Sequence, residues 1–270
     1  MPELAEVEWF RKRWSPGLGE EIVRVHIHGA KRIFRGSTES EIVQTLTGAT
    51  LRNSDRSAKQ MLFRFDNATL GIHLGMTGEL FSAESDFTPQ KHDHLVLYQK
   101  ERALVFRDFR LFGRVRFSAG PDDPDWWTEM PEELSHRSFS VIRLGEILER
   151  RGKSPLKAVL LMQEFFPGIG NWMADEILWR AGLPPDRRAG GIDSNSIEKL
   201  HREVRKVIQV SLKTIGNADG NKPGDPPQDW LFHERWSGKG ICPKHTTPLS
   251  TATVGGRTTR WCPRCQPPMK

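Results

Sequence analysis

Residues 242–265, with the sequence CPKHTTPLSTATVGGRTTRWCPRC, contain all three cysteines of the chain and a histidine that completes a C-x2-H-x16-C-x2-C spacing. Two closely spaced ligand pairs on separate turns supply the four N and S atoms that Zn²⁺ binds in a tetrahedron. Gly255-Gly256, between the pairs, is typical of a hairpin turn. The stretch therefore predicts a structural zinc site on a β-hairpin, with no coordination position left for water. Its ligands are Cys242, His245, Cys262 and Cys265.

The charge of the chain is concentrated near this hairpin. The 270 residues carry a formal net charge of +6, and residues 231–270 hold seven basic residues and one acidic residue, which accounts for the whole excess. Residues 121–133 hold six acidic residues and no basic one. A basic segment of this kind favours a polyanionic partner.

Several classes of protein are excluded by the same sequence. No run approaches the 18 apolar residues of a membrane span, so no membrane association is expected. The start, MPELAEVEWF, has acidic residues where a signal peptide has basic ones, which predicts a cytoplasmic protein. No phosphate-binding G-x-x-x-x-G-K-[ST] loop or nucleotide-binding G-x-G-x-x-G occurs, and we expect no organic cofactor.

The first half of the chain has a mixed pattern. Apolar residues recur at helical spacing over 4–14 and alternate over 21–28, which predicts a helix and then a half-buried strand. A Thr-x-x-Glu cap at 38–41 predicts a short helix ending at Gly48. From 49 to 117, short apolar runs separated by turn residues predict a β-sandwich or barrel.

The second half has helical patterns. Leu156–Phe166 and Trp172–Ala181 are apolar-faced segments, and a third helix is predicted behind the capping pattern Asn195-x-x-Glu198. Residues 216–229, rich in Gly, Pro, Asn and Asp, predict a loop. The sequence Gly168-Ile169-Gly170-Asn171 precedes the second helix. It fits a helix N-terminus that binds a phosphate, and it fits a plain turn between helices equally well.

The chain resembles the formamidopyrimidine-DNA glycosylase / endonuclease VIII family over essentially its whole length. The motifs that carry the resemblance, in order, are MPELAEVE, RSAKQMLFRF, HLGMTGEL, KHDH, DFRLFG, GIGNWMADEILWRAGLPP and the zinc hairpin. The resemblance implies an α+β fold with an N-terminal β-sandwich and a flanking helix, followed by a helical helix–two-turn–helix domain and a zinc finger. It predicts a catalytic domain at 1–117, a linker at 118–135, a helical domain at 136–229 and a zinc finger at 230–270.

The resemblance also implies a chemistry. In this family the initiator Met is removed and the amine of Pro2 attacks C1′ of a damaged nucleotide. An α-amine has a pKa of about 7.7–8.0, so an unprotonated fraction is present at neutral pH. Glu3 corresponds to the general acid/base and Glu6 to a second carboxylate that positions groups. Lys59 corresponds to a lysine that contacts the lesion's phosphate, and Arg257 to an arginine that assists the second elimination.

Other positions correspond to contacts with DNA. A nucleotide taken out of the stack leaves a void, and three residues of the family fill it. Four further positions contact phosphates, which gives affinity without sequence preference. The void-filling residues are Met76, Arg110 and Phe112, and the phosphate contacts are His92, Lys153, Lys157 and Asn171.

The sequence departs from the formamidopyrimidine branch at four places: Ala5 stands where Pro is usual, Leu111 where a second Arg is usual, His245 where Cys is usual, and the loop 216–229 is shorter. That loop folds over extruded 8-oxoguanine in the family, so its length puts recognition of this base in doubt. The resemblance predicts a bifunctional DNA glycosylase and AP lyase of base excision repair. We expect a monomer in the bacterial cytosol or nucleoid that acts on damaged double-stranded DNA. The alternatives are an endonuclease VIII-like enzyme for oxidised pyrimidines or abasic sites, and a non-catalytic DNA-binding protein on the same scaffold.

Overall fold

The computed structural model describes residues 1–29, 32–34 and 36–268, so the last two residues of the predicted zinc finger lie outside the described residues. The chain forms two compact units. One contains Met1–Pro2 and Glu6–Met130, and the other contains Glu3–Ala5 and the chain from Pro131 onward. The division falls inside the segment 118–135 that the sequence predicts as a linker.

The first unit is a β-sandwich of two four-stranded antiparallel sheets, which confirms the predicted α+β class. The strand orders are β1-β6-β7-β5 and β2-β3-β4-β8. The inward side chains of both sheets form one apolar core. The strands are Arg24–Ile27 (β1), Leu51–Ser57 (β2), Gln60–Phe65 (β3), Ala68–His73 (β4), Gly78–Glu84 (β5), Asp93–Tyr98 (β6), Arg102–Asp108 (β7) and Arg114–Ala119 (β8).

The described residues before Pro131 contain three α-helices. Helix α1 (Leu4–Lys12) lies close to its predicted bounds, and α2 (Glu39–Leu46) begins with the predicted cap, because the Thr38 side chain accepts a hydrogen bond from the backbone N–H of Glu41. A short helix, α3 (Asp125–Thr128), lies in the acidic segment. This segment packs on the second sheet: the Trp126 ring occupies the space above Gly71 that a Cβ atom would need.

The helical part of the second unit confirms the predicted class but not every boundary. Leu156–Phe166 is helical only to Leu160, because a tight turn follows in which the Met162 carbonyl accepts hydrogen bonds from both Phe165 and Phe166. The cap of the third helix is Asp193 and not Asn195, since the Asp193 carboxylate accepts the N–H of Ser196 at 2.9 Å. The helices are Val141–Arg150 (α4), Leu156–Leu160 (α5), Asn171–Ala181 (α6), Ser194–Ser211 (α7) and Leu231–Glu234 (α8).

Helix α4 is absent from the sequence predictions, and Leu212–Gly216 continues α7 as a π-helical turn. Residues 217–229 form the predicted loop. The predicted hairpin consists of Ser250–Val254 (β9) and Arg257–Trp261 (β10), joined by Gly255-Gly256 with φ of +60° and +72°. Two successive residues with positive φ are what a two-residue hairpin turn requires. No helix in the described part of the chain is long and apolar enough to cross a membrane.

Candidate active site and nucleic-acid interface

The N-terminus of α6 binds the carboxylate of Glu3. One Glu3 oxygen accepts the backbone N–H groups of Gly170 at 2.9 Å and Met173 at 3.1 Å, and the other accepts that of Trp172 at 2.9 Å. The side chain is buried, and the positive end of the helix favours a negative charge at this point. Glu3 therefore has one fixed orientation.

The two glycines before α6 make room for this arrangement. A Cβ atom on Gly170 would lie 2.3 Å from the Glu3 carboxyl carbon, and one on Gly168 would lie 2.4 Å from a methyl carbon of Leu4. Gly168 also has a φ of +88°, which favours glycine. The sequence left open whether the backbone N–H groups at this helix end bind a phosphate. In the structure they donate instead to the carboxylate of Glu3.

The first residue of α6 contacts the hairpin. The Asn171 side chain donates a hydrogen bond to the carbonyl of Thr258 at 3.0 Å, and Arg257, the preceding residue, is exposed beside the turn. Within the second unit the structure thus brings Glu3, Asn171 and Arg257 to the same end of one helix. The Asn171 side chain thus contacts the hairpin in this structure, and its contact with a phosphate stays a prediction.

The two predicted phosphate-binding lysines differ in exposure. Lys153 is exposed, as a phosphate contact requires. Lys157 has an exposed fraction of 0% and forms an ion pair with Asp175, with an Nζ–Oδ1 distance of 2.5 Å. In this structure no surface of Lys157 is open to a phosphate, and the predicted direct contact is corrected to a contact within the protein. Ion pairing to a buried carboxylate is the physical reason.

The remaining predicted catalytic residues lie in the first unit. Pro2, partly buried, immediately precedes Glu3 in the chain, and Glu6 lies in the first turn of α1. Lys59 lies in the two-residue turn between β2 and β3 and is mostly buried. Its neighbour Ala58 has a φ of +52°, a backbone conformation that hairpin turns require.

Lys59 belongs to a basic cluster that the sequence reasoning missed. Burial, together with the smaller effects of the charges of Lys59, Arg114 and Arg116, lowers the pKa of His73 to about 4. His73 is therefore neutral at pH 7, and its Nδ1 atom accepts the backbone N–H of Gly75 at 3.1 Å. The strand pairing could have revealed the cluster, because His73 lies opposite both Gln60 and Arg114.

The predicted void-filling residues lie on two loops that touch each other. Met76 and Phe112 have exposed fractions of 43% and 54%, so neither packs in the core. The Arg110 guanidinium lies 4.9 Å from the centre of the Phe112 ring. A Cβ atom on Gly75 would lie 2.4 Å from the Phe112 backbone, so the close approach of the loops requires glycine there.

Asp108 connects these loops. Its buried carboxylate accepts the Thr77 hydroxyl at 2.6 Å and the backbone N–H groups of Arg110 and Gly113 at 3.1 and 2.7 Å. Leu111, inside the turn, has a φ of +58°. The predicted phosphate contact His92 is partly buried, with its ring 5.0 Å from that of Phe109.

The four predicted zinc ligands come together. The candidate ligand atoms of Cys242, His245, Cys262 and Cys265 all lie within 4.8 Å of one another. The Cys242 and Cys265 sulfurs are 3.7 Å apart, which agrees with the roughly 3.8 Å between two ligands on tetrahedral bonds of about 2.3 Å. The Trp179 indole donates to the Cys242 sulfur at 3.4 Å, a partner that a thiolate favours. The residues present fit a structural metal ion.

Models of two domains match this chain. Residues 1–115 match the formamidopyrimidine-DNA glycosylase N-terminal domain, and residues 131–220 match the formamidopyrimidine-DNA glycosylase H2TH domain. The chain belongs to the formamidopyrimidine-DNA glycosylase family. It is therefore a DNA glycosylase of base excision repair, which confirms the resemblance seen in the sequence.

Similarity to other formamidopyrimidine-DNA glycosylases extends over nearly the full length of the chain. The chain is 34% identical to a formamidopyrimidine-DNA glycosylase of Methylobacillus flagellatus, with 98% of this chain and 96% of the relative covered. It is 33% identical to one from a Roseiflexus species, with 98% and 100% covered. Among solved structures, the Lactococcus lactis enzyme in complex with DNA containing an oxidised pyrimidine has a TM-score of 0.88 at 26% identity, with 99% and 100% covered. A mutant of that enzyme with DNA containing Fapy-dG has a TM-score of 0.87 at 25% identity, with the same coverage.

Proposed function

We propose that this chain is a bifunctional DNA glycosylase and AP lyase whose nucleophile is the amine of Pro2, after removal of Met1. The observation that supports this mechanism is the fixed, buried carboxylate of Glu3 directly beside Pro2 in the chain. A carboxylate held by three backbone N–H groups is oriented before any substrate arrives, which is what a group that moves protons at a reacting centre requires. We expect the enzyme to act as a monomer in the bacterial cytoplasm.

The proposed reaction has two stages. The lone pair of the Pro2 nitrogen forms a bond to C1′ while the glycosidic bond breaks, and the damaged base leaves with the electron pair of the glycosidic bond and takes up a proton. The Pro2 nitrogen then loses its proton, the C1′–O4′ bond breaks and O4′ takes up a proton, which opens the sugar ring. The resulting iminium ion acidifies the C2′ proton. Loss of this proton breaks the C3′–O bond, and a second elimination breaks the C5′–O bond. Glu3 moves protons, Lys59 binds the lesion's phosphate and Arg257 assists the second elimination.

The metal would have no part in these steps. Zinc bound by Cys242, His245, Cys262 and Cys265 holds the hairpin, and with four protein ligands it has no open position.

Borohydride trapping tests the mechanism, since it reduces the iminium ion to a stable covalent product. The panel consists of duplexes with 8-oxoguanine opposite each base, formamidopyrimidine, thymine glycol and an abasic site. We expect trapping by the processed protein and none by a matched form that keeps one residue before Pro2. A processed protein that neither traps nor cuts any duplex would support the non-catalytic alternative, and full trapping by the form that keeps a residue before Pro2 would assign the nucleophile to another amine.

The short loop favours a second candidate for the substrate, an endonuclease VIII-like preference for oxidised pyrimidines or abasic sites. Residues 217–229 form no helix or strand, and the Pro226 carbonyl is hydrogen-bonded by the His233 ring at 3.0 Å, so part of the loop is held against α8. A loop held in this way has little length left to cover an extruded purine. A higher trapping rate with thymine glycol than with 8-oxoguanine would support this candidate.

A further inference from the structure

The outer edge of β10 pairs with no other strand among the described residues. β10 pairs with β9 in the register Arg257↔Val254 and Thr259↔Ala252. In a hairpin with a two-residue turn these residues direct their backbone groups at the partner strand, and the alternate residues Thr258 and Arg260 direct theirs away from it. Backbone N–H and C=O groups at an unpaired strand edge form hydrogen bonds either with water or with other groups of the protein.

Side chains of α5 and α6 provide those partners. The Thr258 carbonyl accepts the Asn171 amide N–H at 3.0 Å and the Lys157 ammonium at 3.4 Å. The backbone N–H of Arg260 donates to the Asp175 carboxylate at 3.2 Å. Polar side chains thus take the place of a third strand, and they do so beside Arg257.

Asp175 takes part in two of these three contacts, directly with Arg260 and through Lys157 with Thr258. It is buried, and besides Arg260 it accepts Lys157 at 2.5 Å and the Arg235 guanidinium at 2.7 Å. Lys157 and Arg235 are buried as well. Burial lowers the pKa of Lys157, and the charge of Asp175 acts in the opposite direction, so the carboxylate supports the charged form of the lysine that contacts Thr258.

We propose that Asp175 is a positioning residue for Arg257. Through Arg260 directly, and through Lys157 to Thr258, its carboxylate holds β10 against the helix end that also binds Glu3. This role rests on the proposed function, because the task assigned to Arg257 is the second elimination. It also gives Lys157 a role that needs no exposed surface.

The test uses the zinc-loaded full chain as wild type, Asp175→Asn and Glu203→Gln. Glu203 is the matched control, because it too is a buried acid of the second unit in an ion pair, with Arg180 at 3.0 Å. Hydrogen exchange of the backbone amides of 257–261 measures docking of the hairpin without any activity. On an abasic-site duplex, borohydride trapping measures the first stage and the ratio of double- to single-elimination product measures the second.

For Asp175→Asn we expect faster hydrogen exchange at 257–261 and borohydride trapping within about twofold of wild type. The ratio of double- to single-elimination product should fall by about 10- to 100-fold, because misplacing a reacting group by about an ångström has an effect of this size. Glu203→Gln should match wild type in all three. Wild-type exchange and product ratio in Asp175→Asn would overturn the proposal, and so would an equal loss of trapping and product ratio, which indicates a general structural defect.

Two further arms separate the possible failures. If Asp175→Asn does not fold, the charge-balanced variant Asp175→Asn/Lys157→Met replaces it, since it leaves one buried cation fewer without a partner. It should show the same fall in product ratio, and a wild-type ratio would overturn the proposal. If the wild type traps nothing, the proposed function fails, while the exchange experiment still decides whether Asp175 holds the hairpin.

Discussion

Asp108 in the sandwich and Asp175 in the helical unit are both buried, but they bind different partners. Asp108 accepts one hydroxyl and two backbone N–H groups, all neutral, and two of the three come from the next five residues. Asp175 accepts two cations and one backbone N–H, from segments 18, 60 and 85 residues away. The first orders a local turn, and the second joins distant segments of the chain.

This difference predicts unequal costs of removal. An acid that neutralises buried cations leaves uncompensated charge when it is lost, whereas an acid bound by neutral donors leaves unsatisfied hydrogen bonds. The predictions below test the comparison, beginning with the largest expected effect.

Asp175→Ala should lower the free energy of unfolding by about 3–5 kcal/mol, the usual cost of breaking a buried ion pair from one side. Lys157 and Arg235 would remain buried without their carboxylate. Denaturant unfolding of the zinc-loaded chain measures the change. A loss below about 1 kcal/mol would mean that the two cations find water or another partner, and the contrast with Asp108 would disappear.

Asp108→Ala should cost less, about 1–3 kcal/mol, because it leaves the Gly113 amide and the Thr77 hydroxyl without an acceptor. Asp86→Ala is the matched control, since Asp86 is an exposed acid of the same unit and should change stability by less than about 0.5 kcal/mol. The same denaturation experiment compares both. Equal effects of Asp108→Ala and Asp86→Ala would contradict the role of Asp108 in the turn.

Glu176 gives the helical unit a dependence on pH. Burial raises its pKa to about 8 from an ordinary 4.5. Between pH 4.5 and 8 the folded chain binds more protons than the unfolded chain. The contribution of protonated Glu176 to the free energy of unfolding is therefore fully present below pH 4.5 and is lost as the pH rises through 8. Glu176→Gln should therefore flatten the fall of stability between pH 5 and 8, and an unchanged pH profile would show that Glu176 ionises normally.

Leu111→Gly should have the smallest effect, a stabilisation of about 0.5 kcal/mol. A left-handed backbone costs a non-glycine residue about 1–2 kcal/mol, and the greater freedom of glycine in the unfolded chain offsets about half of that gain. Leu18→Gly is the control, because Leu18 is similarly exposed but has a φ of −66°. Only the control should lose stability. Destabilisation by both variants would indicate that the Leu111 side chain matters more than its backbone conformation.

Local signals in the sequence predicted much of the fold. The Thr38 cap and the Gly255-Gly256 turn each depend on neighbouring residues, and both are confirmed. The alternation over 21–28 predicted a strand, but the strand covers only Arg24–Ile27, and Val23 is exposed. The predictions failed where tertiary contacts compete with local pattern. The segment after Leu160 has apolar residues at helical spacing, but its Phe166 packs in the core from a turn.

For the candidate site, too, the sequence predicted some features and only the tertiary structure revealed others. Spacing alone specified the Cys/His cluster, because four ligands on two short turns need little else to meet. Motif resemblance identified Glu3, Asn171 and Arg257. Only the tertiary structure revealed that α6 binds Glu3 by its backbone and the hairpin by its side chains, and that Lys157 is buried under Asp175. Hydrogen bonds between residues more than 80 positions apart leave no periodic trace in a sequence, and burial decides whether a lysine meets a phosphate or a carboxylate.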